Sequence, residues 1–195
     1  MFEPINFDHL IGTQGFSDTL LKNHFTLYQG YVKNTNALSD TFKKMRDEGN
    51  TSSPEFAELH RRFGWEFNGM RLHELYFGNM ARGGVAPDAG EKIGQKIAED
   101  FGSFDAFMKE FKAIGSARGI GWAVLAYDLF SKRLFNVWVN EHDVGHLATT
   151  APLLVLDVFE HAYVTDYGIK RADYLEAFFA AIDWNEVNRR LSLVY

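Results

Sequence analysis

Cysteine is missing from the 195 residues, and that absence excludes disulfides, thiolate metal sites, iron–sulfur clusters and cysteine nucleophiles together. Any metal would have to be held by imidazole and carboxylate. Basic clusters are missing too. No run of five Lys or Arg occurs and the formal net charge is −6, which argues against a nucleic-acid partner. The longest apolar stretch, residues 151–159, is too short to span a bilayer and carries Asp157, so no membrane partner is expected. The opening residues show no basic segment followed by an apolar one. No secretory signal is therefore expected, and the cytoplasm is the expected compartment.

What is there suits a dense globular core. The chain is 46% hydrophobic and 15% aromatic, with 18 Phe, which also leaves room for a substantial buried subunit contact. Ser17 or Asp18 can cap a first helix whose Leu20, His24, Leu27, Tyr31 and Leu38 recur at helical steps until residues 47–50 end it. Ser53-Pro54-Glu55 opens a second helix marked by Phe56, Phe63, Phe67, Met70, His73 and Phe77. Gly83-Gly84-Val85-Ala86-Pro87 breaks the pattern and sets the expected boundary, residues 1–86 against 87–195. Two shorter helices are expected over 90–101 and 103–118, then strands over 121–128 and 133–139 joined by Phe130-Ser131-Lys132. A more buried strand is expected over 152–158, and helices over 171–182 and 184–191. The fold class is α+β: an N-terminal antiparallel helical hairpin, then a C-terminal part with a three-stranded antiparallel sheet.

Seven histidines are present, and two, His24 and His73, fall on apolar helix faces where Leu or Phe would ordinarily stand. A buried imidazole must find partners. They are either core histidines bonded to backbone or Tyr, or ligands that meet where the two helices pack. Asp157 follows five apolar residues on the strand expected to be buried, and His161 comes four residues later. An isolated buried carboxylate is costly and calls for a cation, several donors or a metal. Three imidazoles and one carboxylate suit iron, manganese or zinc rather than calcium or magnesium.

Asp157-Val158-Phe159-Glu160-His161-Ala162-Tyr163 closely resembles the D-V-W-E-H-A-Y signature of iron/manganese superoxide dismutases. The likeness covers nearly the whole chain and is strongest from Phe101 onward. Phe101-Gly102-Ser103-Phe104 and Gly119-Ile120-Gly121-Trp122 are similar to the family's F-G-S-F and G-S-G-W segments, and Arg171-Ala172-Asp173-Tyr174 and Asp183-Trp184-Asn185 to its closing motifs. Leu72-His73-Glu74-Leu75-Tyr76-Phe77 and Tyr31-Val32-Lys33-Asn34 resemble its two first helices.

The resemblance implies one iron or manganese ion per subunit, iron or dual use being slightly preferred, held by His24, His73, Asp157 and His161. It implies superoxide as substrate, O2 and H2O2 as products, and a homodimer that two such dimers could extend to a tetramer. Tyr31 would relay protons and screen the entrance, Trp122 would form an apolar wall, and His142 would be the outer donor of the archaeal-type variants. Glu160 would reach across a two-fold axis. Arg171 is expected near the funnel or in a structural ion pair.

Departures from the family pattern are specific. The usual spacing to Tyr31 lands the first ligand on Asn23, and His24 takes the role if one residue has been deleted, as when a π-bulge is lost. The gateway His–Tyr positions fall near Tyr28, with Gln29 following, and on Val164. Gly69 leaves space where some members place an outer Gln, and Phe159 replaces a Trp. These departures leave a rival reading, a related scaffold without efficient catalysis. A mononuclear iron oxygenase with two His and one carboxylate is a more distant rival.

Overall fold

The computed structural model describes all residues from Met1 to Tyr195. Two long helices, α1 (Asp18–Asp47) and α2 (Pro54–Gly78), make up most of the first half. Ser17 caps α1, its hydroxyl accepting the Leu20 N–H at 3.0 Å, and Ser53 caps α2 through Phe56 N–H at 3.1 Å with Pro54 in the first turn. Cross-helix partners run in opposite directions: Tyr28 meets Glu74, Asn34 meets Glu66, and Phe42 stacks on His60. The hairpin is antiparallel, as the short connection requires.

The second half continues with α3 (Lys92–Phe101) and α4 (Phe104–Gly115), then strands β1 (Gly121–Asp128), β2 (Leu134–Asn140) and β3 (Thr150–Asp157). The sheet order is β2-β1-β3 and both pairings are antiparallel. β1 lies in the middle, and Gly121–Tyr127 is buried throughout, which is why it reads as continuous apolar sequence rather than an alternating one. Helices α5 (Val164–Tyr167), α6 (Arg171–Ala181) and α7 (Trp184–Val194) close the chain.

The expected fold class and element order hold, with boundaries moved by a few residues. The turns over Asp8–Leu10 and Glu160–Ala162 and the four-residue α5 carry no readable period, so sequence patterning passes over them. β3 starts two residues earlier than expected, at Thr150, because Pro152 is tolerated on this edge strand beside the register shift at Leu125/Ala126.

One polar stitch sets how α2 sits on the sheet. The Arg190 guanidinium donates to Leu75 O at 3.0 Å on α2, to Leu153 O at 2.9 Å on β3, and to Asn79 Oδ1 at 3.3 Å. The same Asn79 oxygen accepts Val155 N–H at 2.8 Å. These bonds hold the end of α2, and so His73, in register with Asp157 at the end of β3.

Candidate metal centre

Three elements converge on one carboxylate oxygen at the end of β3. Asp157 Oδ2 lies 3.2 Å from His24 Nε2 on α1, 3.5 Å from His73 Nε2 on α2 and 3.1 Å from His161 Nε2 in the turn after β3. The four potential ligand atoms all lie within 4.8 Å of one another. His24, His73 and Asp157 are buried, whereas the His161 side chain is 27% exposed and marks the open side.

Local bonds aim these groups inward. His73 Nδ1–H donates to Gly69 O one helical turn back at 2.5 Å, which leaves Nε2 as a bare lone pair. That nitrogen is buried without any hydrogen-bond partner. Asp157 Oδ1 accepts Phe159 N–H at 2.9 Å, and its backbone carbonyl accepts the Tyr174 hydroxyl at 2.6 Å. Burial pushes the Asp157 carboxyl up, but the charges and hydrogen bonds of His161 and His24 outweigh it and hold the group well below the usual carboxylate range. Burial lowers His24, and it lowers His73 further with His24 beside it. Lowered values at His24 and His73 favour their neutral forms beside an ionised carboxylate, the states in which these groups bind a transition-metal cation. The orphaned His73 nitrogen supplies the test of fit: a cation at this centre would satisfy it and the carboxylate together.

A second ring of side chains covers the cluster. Trp122 Nε1–H donates to His142 Nδ1 at 3.1 Å, and an indole can only donate. Neutral His142 therefore carries its proton on Nε2, which donates to Tyr31 Oη at 2.7 Å. The Tyr31 O–H proton is not used in that bond. Tyr31 stacks on His73 with ring centroids 5.2 Å apart, Trp122 meets His73 edge-on at 5.0 Å, and Phe159 lies against both His142 and His161. Burial pushes the Tyr31 phenol up to about 12 and holds His142 down at about 4.

Residues 89–190 match the family described as iron/manganese superoxide dismutases, C-terminal domain. A protein of Haloferax volcanii named superoxide dismutase [Mn] 2 is 43% identical over 165 residues, 84% of this chain and 80% of its own length. Superoxide dismutase [Fe] of Aquifex aeolicus is 38% identical over 190 residues, covering 94% of this chain and 88% of its own. The chain belongs to the iron/manganese superoxide dismutase family. Superoxide dismutase [Fe] of Methanothermobacter thermautotrophicus, 40% identical over 178 residues, extends the likeness over 89% of this chain and 84% of its own.

In this member of the dismutase family several of the expected positions lie at or beside the cluster. His24 is buried in the cluster, whereas Asn23 is exposed. Helix α1 is α-helical from end to end, consistent with a regular winding in place of a bulge. His142 is fully buried rather than an exposed loop residue. Glu160 is exposed at the turn beside His161.

Other positions are corrected. Tyr28 does not face the entrance: its hydroxyl donates to Glu74 and accepts from Ile5 N–H, both at 3.0 Å. Leu27 instead lines the depression outside Tyr31, and Gln29 and Val164 are exposed. The space expected beside Gly69 is filled by the Tyr31 ring. Arg171 faces backbone rather than the funnel, donating to Gly119 O at 3.0 Å, Val158 O at 3.2 Å and Ala117 O. Sequence reasoning missed Trp65, whose ring meets His142 at 4.9 Å and carries the Arg62 guanidinium at 4.8 Å. Its signal was present: Trp65, Gly69 and His73 follow at four-residue steps on one face of α2.

Proposed function

We propose that this chain is a superoxide dismutase, converting two superoxide anions and two protons into O2 and H2O2 at one ion held by His24, His73, Asp157 and His161. The observation that carries the reading is the single carboxylate oxygen faced by three imidazole nitrogens, one with no other partner. When bound, the ion supplies one-electron redox chemistry by alternating between +3 and +2.

The protein residues do the rest. The Asp157 charge reduces the net charge of the centre, and His73 is oriented by Gly69 so that its lone pair stays available. Tyr31 holds a proton at Oη, free to be donated on the side away from His142. His142 Nε2–H bonded to that oxygen steadies the phenol and supports its loss of a proton. Trp122, Phe159 and the Tyr31 ring form an apolar wall that keeps bulk water from the ligands, which strengthens each electrostatic interaction inside.

Relatives are named for either metal, and the ligand set does not discriminate between them. The outer His142 leads us to favour iron or use of both. A homodimer, able to pair further into a tetramer, belongs to the same reading: Glu160 is exposed next to His161 and has no partner within the chain. The cluster is intact, so nothing favours a scaffold that binds metal poorly. Metal content and superoxide loss after separate reconstitution with iron and with manganese test the proposal. Stoichiometric metal with rapid superoxide loss is expected for at least one, and protein that takes up neither metal would sink it.

A further inference from the structure

Four buried side-chain atoms lack any hydrogen-bond partner, and His73 Nε2 at the metal centre is one of them. Tyr127 Oη is another, and it stands at the opposite end of β1 from Trp122, about 16 Å away at the rise of a strand. It lines a cleft of about 590 Å³ between α3, the β1–β2 turn and the end of α7.

The cleft is polar and its basic groups predominate. Lys96, Lys132 and Arg133 line it, and Lys92 Nζ lies 5.4 Å from the Tyr195 ring at its rim. Two carboxylates oppose them. Asp100 is already engaged: its side chain is 4% exposed, accepts Leu134 N–H at 2.8 Å and pairs with Lys96 at 3.2 Å. Glu99 is mostly exposed and reaches Lys96 at 3.1 Å. Lys96, itself 6% exposed at the side chain, reaches one Glu99 oxygen at 3.1 Å and both Asp100 oxygens at 3.2 and 3.3 Å. The Tyr127 O–H is a buried donor without an acceptor. Three lining cations against two carboxylates leave one positive charge here, in a chain whose net charge is −6.

We infer that this cleft binds a small dianionic oxyanion, phosphate either free or as the phosphoryl group of a monoester. Its oxygens accept from Tyr127 Oη–H and Lys96 Nζ, and Lys132 and Arg133 close over it from the exposed turn. A tetrahedral oxyanion presents several charged acceptors at once, so it can meet the buried hydroxyl and the turn cations together, and a buried donor is best satisfied by a charged acceptor. The inference is independent of the reaction at the metal centre.

Calorimetric titration of the metal-loaded protein with inorganic phosphate, and separately with phenyl phosphate, tests it. One saturable site per chain is expected, undisturbed by azide and without change in the visible spectrum of the ion. Lys132→Asn with Arg133→Gln, both exposed and outside the metal centre, should weaken binding about tenfold or more while superoxide removal stays unchanged. Tyr127→Phe should weaken it about tenfold and remove any phosphate-dependent rise in Tm, without lowering Tm in phosphate-free buffer. Tighter binding of phenyl phosphate would assign a monoester stacked on Tyr195, and equal binding would assign free phosphate. No saturable heat with either probe, displacement by azide, or unchanged affinity in both variants would overturn the inference and leave a water-filled cleft.

Discussion

Tyr31 lies flat against Gly69, so close that a β-carbon on Gly69 would stand 2.5 Å from its Cδ1. Replacing a helical glycine by alanine ordinarily gains about 1 kcal/mol, but forcing a methyl into a packed ring costs about 1–3 kcal/mol. Gly69→Ala should therefore lower stability and push Tyr31 off both His73 and His142. Urea unfolding with activity measured in parallel checks this, and a more stable, fully active variant would contradict it.

His24 and Asn23 are adjacent on α1, but His24 is buried in the cluster and Asn23 is exposed. His24→Ala should abolish metal retention, whereas Asn23→Ala should keep full metal content and change stability by less than about 0.5 kcal/mol. Elemental analysis of the two purified variants decides the matter. Retained metal in His24→Ala would remove it from the ligand set.

Trp122 fixes the tautomer of His142 because its indole N–H can only donate. Trp122→Phe keeps the apolar wall but frees Nδ1 to take up the proton, so Nε2–H no longer reliably meets Tyr31. A loss of about 10–100-fold in activity or metal affinity is expected, the usual cost of losing a partner that orients a metal site. Unchanged kinetics would mean that the tautomer has no bearing on turnover.

Alongside His24 and His73, which burial also lowers, His142 contributes to the pH dependence of stability. Its folded value of about 4 lies below the ordinary 6.5, mainly through burial. The folded state therefore binds this proton less readily than the unfolded chain. The associated stability is present above pH 6.5 and is lost as the pH falls from 6.5 through 4, amounting to about 3 kcal/mol. In metal-free protein the acid limb of unfolding free energy should flatten in His142→Gln. Identical slopes would show that another group governs the acid limb.

Arg190 is 8% exposed and bridges α2 to β3. Arg190→Met leaves the Leu75 and Leu153 carbonyls without this donor, while Glu186 keeps Arg189, and should cost about 2–4 kcal/mol. Because the same bonds hold His73 over Asp157, metal should also be released more readily on chelation. A variant of normal stability would show that packing alone sets the register of α2 on the sheet.

Much of the site could be read before the fold was known. Asp157 stood out as a charge at the end of an apolar strand, and His73 as an imidazole on a helix face of Phe and Met. Tyr28 was misplaced because a count from the ligand along α1 fixes neither rotation nor tilt: its hydroxyl turns to Glu74 and Ile5, while Leu27 lines the depression outside Tyr31. Arg171 was expected near the funnel by likeness of motif, yet three backbone carbonyls claim its guanidinium.

By itself the sequence determined the order and kind of elements, the chemistry open to a chain without cysteine, and which four side chains had no cheap place in an apolar core. Periodicity, capping residues and the cost of burying charge are local properties, and they are legible one segment at a time. Only the tertiary structure decided that His73 Nε2 and Tyr127 Oη are donor or acceptor atoms left unpaired, and that Gly69 makes room for Tyr31. Those facts depend on distances between residues far apart in the chain, set by how α2 is stitched to β3 and how α1 rotates against it, and no run of neighbouring letters encodes them.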